Sequence, residues 1–328
     1  MISTVKAREL ATGSRKSTRW LIRILKLAIV LGILYSLRGT LTRAYADLQK
    51  HEWSIRWPWL VGADLYFVAG FLPCGFYWWL VLRRLGQPIS LWVALRAYIV
   101  GHVGKYVPGK GMVILIRTAL ISGHYDDIPA AVVAVFFETL TLAGAACIIA
   151  TISLPVAFGI TGLPVWAAAG LSLAFAASTT PSLVAFFLNR VPVAALRSTS
   201  QDLAAKLRKI PLRTLLVGWV LCTLTWCAMG LSLWCVVRGL TSAQECPISE
   251  FPFYFGAISI AFLAGFLSFL PGGAVAREAV LIELISTRYD EGTAVVAAVL
   301  VRLVWIVAEV IQSAMLYFLR VPGPRPPG

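Results

Sequence analysis

GKYVPGKGMVILIRTALIS, residues 104–122, sets three cations, Lys105, Lys110 and Arg117, around a Pro-Gly-Lys-Gly break in otherwise apolar sequence. The surrounding chain has 328 residues, 59% of them hydrophobic and 13% charged, with a mean hydropathy of +0.81. Soluble domains carry roughly 25% charged residues, so this composition is that of a polytopic, all-α membrane protein. The arm after Lys110 reaches Ser122 within about a dozen residues. At about 1.5 Å per residue it is too short to cross a hydrocarbon core of about 30 Å. The stretch therefore reads as a re-entrant helical hairpin, with a full crossing as the alternative.

Eight apolar segments follow from the same reasoning. Six are full spans: Trp20–Leu37, Trp59–Leu82, Ile128–Thr151, Leu163–Leu188, Thr214–Val237 and Thr293–Leu319. Two are interrupted by Pro-Gly, Ile89–Ser122 and Phe253–Ser286. A basic N-terminus (1–19) precedes a single transmembrane domain (20–320), and a Pro-rich tail (321–328) follows it. With the N-terminus inside, the inner segments hold fifteen Lys/Arg and the outer ones six. That bias places both termini in the cytoplasm of a cell, or inner, membrane.

The break recurs. SFLPGGAVAREAVLIELIS, residues 268–286, repeats the pattern with Pro271 lying 163 residues after Pro108. Each Pro-Gly is followed by a short apolar arm bearing an Arg, then a loop with acids, then a long span holding a charge, Glu138 or Arg302. In the charge-derived topology the first hairpin enters from the cytoplasm and the second from outside. The chain thus reads as two inverted half repeats, about 20–155 and 160–320, a transporter pattern.

A helix that restarts after Pro-Gly offers free N–H groups and a partial positive charge at depth, which suits an anion. Lys105, Pro108, Gly109, Lys110 and Gly111 in the first break, with Pro271, Gly272, Gly273 and Arg277 in the second, form the candidate binding set for a lipid phosphate. The glycines let a phosphate approach the backbone; the cations neutralise it. Arg117, Glu138, Glu278, Glu283, Arg302 and Glu309 also lie in apolar sequence. Charges at that depth cost several kcal/mol unless they pair or face a cavity. Arg117 with Glu138, and Arg302 with Glu278, are the expected cross-helix pairs; structural pairing, gating and proton coupling are the open readings.

Other chemistry finds no support. The six cysteines make no CxxC pair and the three histidines (His51, His102, His124) are scattered, so neither a disulfide framework nor a metal site is expected. No catalytic or nucleotide-binding motif is present, so no enzymatic activity and no cofactor are expected. The +14 net charge follows from topology and anionic lipid surfaces rather than nucleic acid. The Trp residues near span ends (Trp53, Trp57, Trp59, Trp78, Trp79) read as interfacial belts. The basic segment 190–213 reads as a surface helix lying on anionic lipid.

GKYVPGKG, Arg117 and FFETLT, followed in the second half by FLPGGAVAREAVL and VLVRL, resemble the transmembrane region of the lysylphosphatidylglycerol synthase family, over about residues 20–320. The resemblance implies a flippase-like domain that moves or recognises an anionic or aminoacylated phospholipid. Bifunctional members add a cytosolic aminoacyl-transferase domain; the chain is expected to be a stand-alone member without it. The family often has Glu-Arg in the span after the first hairpin, where this chain has Glu138-Thr139. Thr139 lies 31 residues after Pro108, as Arg302 lies 31 after Pro271, so only one half keeps the arginine. The expected function is lipid transport, with a phospholipid or polyprenyl-phosphate lipid as ligand. A membrane enzyme, or an accessory to a lipid-modifying enzyme, is the alternative.

Overall fold

The computed structural model describes residues 55–106, 111–122, 127–188, 197–241, 246–268, 273 and 275–319. Among them all regular structure is helical. The expected span Trp20–Leu37 and both termini lie outside the described residues. The chain runs through α1 (Trp57–Arg84), α2 (Leu91–His102), a 3-10 turn (Val103–Tyr106), α3 (Gly111–Ile121) and α4 (Ile128–Phe158). It continues through α5 (Leu163–Ser178), α6 (Pro181–Leu188), α7 (Arg197–Arg208) and α8 (Leu212–Leu240). A 3-10 turn (Ile248–Glu250) leads into α9 (Phe251–Leu267), followed by α10 (Ala276–Ser286) and α11 (Glu291–Phe318).

Side-chain caps fix several starts. Ser90 accepts from the Val93 N–H at the head of α2, Asp127 from Ala130 at α4, and Asp290 from Thr293 at α11. Each satisfies one of the donors that a helix start leaves free. Five stretches are long and apolar enough to cross a membrane: α1, α4, α8, α11 and the continuous Ile248–Leu267.

Two sequence expectations change here. Leu163–Leu188 is not one span but two helices, α5 and α6, parted at Thr179 and Thr180. Pro181 has no N–H to continue the ladder. The hydroxyls of Ser178, Thr179 and Thr180 turn back onto the carbonyls of Phe175 and Ala176 and close α5. The two interrupted segments also differ: the arm before the first break, α2, has 12 residues, whereas Ile248–Leu267 has 20. At ~1.5 Å per residue the latter spans about 30 Å, enough for a bilayer core.

α1 and α8 form the central pair and run antiparallel. Trp59 meets Gly239, the Ala63 carbonyl accepts from Ser232 Oγ at 2.8 Å, Cys74 Sγ stands 3.8 Å from Cys222 Sγ, and Tyr77 covers Gly218. The partner number falls as the α1 number rises. Arg56 anchors the far end of α8 through the Arg238 and Thr241 carbonyls. Around this pair α4 packs on α1, α8 and α9, while α11 packs on α8, α1 and α2. Polar contacts stitch both sets: Trp226 Nε1 donates to the Leu142 carbonyl at 3.0 Å, and Trp305 Nε1 to Ser232 Oγ at 2.9 Å. Such bonds matter where no water offers an alternative partner.

The hairpin arms touch through glycine. A Cβ on Gly104 would lie 2.7 Å from the Val113 nitrogen, so only a hydrogen lets the turn before the first break reach the α3 backbone. At the second break Gly273 (φ +68°) packs on Gly265, and a Cβ there would lie 2.9 Å from the Gly265 Cα. Two residues later Val275 adopts φ 71°. That left-handed conformation costs a β-branched residue about 1–3 kcal/mol and is typical of functional breaks.

α7 departs from the sequence reading. Its apolar residues Leu203, Ala204 and Leu207 are buried in protein, with Ile210 just beyond them. It packs on α6, and Lys206 holds Asp202 at 2.6 Å and Asp127 at 3.4 Å. Its apolar face is therefore not available to lie on lipid.

Candidate functional site

Two ion-pair centres form, one in each part of the bundle. In the first, Arg117 from α3 meets Glu138 from α4, with Nη1 at 3.0 Å from Oε2. Both residues are 2% exposed. The Tyr98 hydroxyl donates to the other Glu138 oxygen at 2.8 Å. The guanidinium lies 4.0 Å from the Tyr98 ring centre and 5.4 Å from that of Trp78. Arginine stacked between aromatic faces and bonded to a carboxylate is stabilised on several sides at once. Trp78 is thus buried in the core at 0% exposure rather than in an interfacial belt.

The second centre is looser. Arg302 Nε from α11 stands 3.6 Å from Glu278 Oε1 on α10, an ion-pair contact rather than a hydrogen bond. The other Glu278 oxygen is buried without a hydrogen-bond partner. Arg277, beside it in the first turn of α10, leans on the rings of Phe262 and Trp305 at 5.4 and 5.8 Å. Its Nε is also buried without a hydrogen-bond partner. Arg277, Glu278, Arg302 and Trp305 line a small gap with Ile258 of α9. The gap is about the size of one water molecule, so in this conformation it admits neither a phosphate nor a lipid head group.

Lys105 joins this second centre from the first hairpin. Its Nζ bonds Glu309 Oε1 on α11, and His102 Nε2 stands 3.9 Å from the same oxygen. Arg302 and Arg277 are near enough to act on Lys105 as like charges. The Tyr106 ring lies between Lys105 at 5.1 Å and Arg302 at 5.5 Å. Three cations and two carboxylates thus converge from the 3-10 turn, α10 and α11. A buried excess of one positive charge with an unpartnered guanidinium donor is a place for an anion, although the free Glu278 oxygen opposes it.

The sequence-derived residues fall out as follows. Lys105, Arg277, Glu278, Arg302 and Glu309 come together. Arg117 and Glu138 pair with each other. Gly273 lies in the second break against Gly265. Gly111 begins α3 exposed, with open space around it. Pro108, Gly109, Lys110, Pro271 and Gly272 lie outside the described residues. Glu283 is not in the cluster: five residues beyond Glu278 it sits about 140° round the helix, and it is exposed. It is not a cavity charge. Lys105, expected to help neutralise a phosphate, bonds Glu309.

Sequence reasoning missed His102, Tyr106, Tyr98 and Trp305. Tyr98 and His102 are four apart on α2 and so share a face; that spacing, running into the break, was the available signal. Among the described residues no group of His, Cys, Asp and Glu could hold a metal ion.

The family model of the lysylphosphatidylglycerol synthase transmembrane region matches residues 23–311. The chain belongs to this family. No curated protein matches it. Family membership and the five long apolar helices make it a multi-pass membrane protein. The match spans both ion-pair centres and both breaks.

Proposed function

We propose that this protein is a flippase-like carrier, not an enzyme, which binds an anionic or aminoacylated phospholipid and moves it across the cell (inner) membrane. The lipid phosphate sits near the midplane between the two broken helices. The observation that carries this reading is the gathering of the three cations Lys105, Arg277 and Arg302 around two carboxylates, with the Arg277 Nε donor buried without a hydrogen-bond partner. Arginine recognises phosphate through its planar fork of donors. The family's name supports a phospholipid as ligand.

The carrier is built from two inverted halves, α1–α4 and α8–α11. Support comes from the antiparallel α1–α8 pair and from equal spacing: α4 starts at Ile128 and α11 at Glu291, 163 residues apart, as are Pro108 and Pro271. The packing is exchanged in the same sense, since α4 touches α9 and α11 touches α2. Inverted halves provide two alternative closures about one site. The excess of basic residues on one side supports cytoplasmic termini.

The test is transbilayer movement of fluorescent phosphatidylglycerol in proteoliposomes, followed by dithionite quenching. Wild type should exceed empty liposomes, while Arg277→Gln and Lys110→Ala fall toward them. Equal rates in all four samples would sink the proposal. The unpartnered Glu278 oxygen also suits a general base, so a membrane enzyme acting on polyprenyl-phosphate or phospholipid head groups is the second reading. Lipid turnover lost in Glu278→Gln would favour it.

A further inference from the structure

A cluster of exposed cations lies well away from the central cluster, where α7 turns into α8. Arg208, Lys209 and Arg213 are exposed there. Because α1 and α8 are antiparallel, with Tyr77 against Gly218, the exposed Arg83 and Arg84 at the end of α1 share this end of the bundle. Among the described residues, the acids of the neighbourhood, Asp127 and Asp202, are both engaged by Lys206. None of the five exposed cations has an ion-pair partner among the described residues.

The same corner starts an apolar ridge. Leu212, Leu216, Val220 and Leu224 are 69, 56, 60 and 50% exposed. Spaced four apart, they lie along one face of α8. Twelve residues at 1.5 Å make about 18 Å of ridge, close to the depth of one bilayer leaflet (half of about 30 Å). Cations at the head and an apolar track below match the two parts of one phospholipid. The apolar face of α7 is already filled by protein, which fixes Arg208 and Lys209 at the surface instead of letting the helix sink into the bilayer. Topological bias accounts for cations at this end of the bundle. It does not account for their placement at the top of an outward-facing apolar ridge.

We infer that the α7–α8 corner is a peripheral binding site for an anionic phospholipid, with its phosphodiester head on Arg208, Lys209 and Arg213 and an acyl chain along Leu212, Leu216, Val220 and Leu224. The site is distinct from the central one and holds its lipid at the rim of the bundle, in the leaflet at this end.

Native mass spectrometry of the purified full chain, in micelles doped equally with phosphatidylglycerol and phosphatidylcholine, tests it. Wild type should retain phosphatidylglycerol preferentially, and the preference should weaken with salt. Each cation removed should weaken retention about fivefold. The triple variant Arg208→Gln/Lys209→Gln/Arg213→Gln should therefore weaken the preference and retain one phosphatidylglycerol fewer than wild type, and Arg208→Lys/Lys209→Arg/Arg213→Lys should match wild type. Arg277→Gln should also keep the preference, whatever becomes of transport. Three results overturn the inference: no preference in wild type, an unchanged preference in the triple Gln variant, or loss of the preference in Arg277→Gln alone, which would place the retained lipid in the central site.

Discussion

Removing either member of the Arg117–Glu138 pair should destabilise the protein far more than removing both. Each is 2% exposed, so a single deletion leaves an uncompensated buried charge, which costs about 3–5 kcal/mol. Arg117→Met keeps the stem but strands Glu138, whose remaining partners are the hydroxyls of Tyr98 at 2.8 Å and Thr139 at 3.3 Å. Glu138→Leu strands the guanidinium between Tyr98 and Trp78 and leaves the Tyr98 hydroxyl without its acceptor, a further cost of about 1–3 kcal/mol. The double variant Arg117→Met/Glu138→Leu removes both charges and retains only the hydroxyl penalty. Adding Tyr98→Phe should remove that as well. The expected order is wild type, then triple, then double, then either single variant. Unfolding in mixed detergent micelles, followed by far-UV circular dichroism, measures it. Single variants within about 1 kcal/mol of wild type, or a double variant costing the sum of the singles, would refute the claim that this centre is a sealed structural pair.

Three further predictions concern other parts of the molecule. Mild oxidation should join Cys74 to Cys222, whose sulfurs are 3.8 Å apart, and so remove two titratable thiols; Cys222→Ser should remove the effect, and no loss of thiols would argue against the α1–α8 register. Gly104→Val should lower the melting temperature strongly, because the new side chain meets the Val113 and Met112 backbone inside 3.0 Å; an unchanged melting curve would contradict the close hairpin. Lys206, outside the spans, has its pKa raised above 10.5, first by its hydrogen bond to Asp202 and then by Asp127. A raised folded pKa stabilises fully below the unfolded value and is lost as pH rises through the folded one. The stability gap between wild type and Lys206→Met should therefore hold from neutral pH to about 10 and close above it; a gap that closes near neutrality would contradict this.

Helix positions were legible because apolar runs of bilayer length admit little else: four of the expected full spans recur as α1, α4, α8 and α11 with boundaries moved by a few residues at most ends. The division of Leu163–Leu188 was written in Pro181 but outweighed by continuous hydropathy. The cross-helix pairs were legible because few opposite charges were available at depth. What sequence could not convey was azimuth. Glu283 and Glu278 are equivalent in a linear reading and on different sides of α10 in space. Trp78 could not be told from an interfacial tryptophan, since only packing decides which way a ring points. Lys105 was read without its partner because Glu309 lies 204 residues away, and nothing local announces such a contact.

The two centres differ in a way that bears on how a carrier of this build would work. Element by element, though not position by position, the charges are exchanged: the short helix brings Arg117 and the long one Glu138, against Glu278 and Arg302 in the other half. The filling differs too. Tyr98 supplies a ring and a hydroxyl that close the first centre, whereas the residue 163 positions later is Ala261, which can supply neither. Both centres leave buried atoms without a hydrogen-bond partner, Arg117 Nε and Trp78 Nε1 in the first and Arg277 Nε, Glu278 Oε2 and Glu309 Oε2 in the second, but the first has the closer ion pair, 3.0 Å against 3.6 Å. The closer pair resists rearrangement because breaking it exposes a buried charge, while the looser centre has an Arg277 donor to offer. On the proposed reading the halves divide the work, the first anchoring α3 against α4 and the second taking the anion. Lys105 belongs to the first half but reaches into the second through Glu309. Its ammonium has three donors, so on the proposed reading an arriving phosphate would compete with Glu309 for Lys105 or share it, linking the two halves at the site.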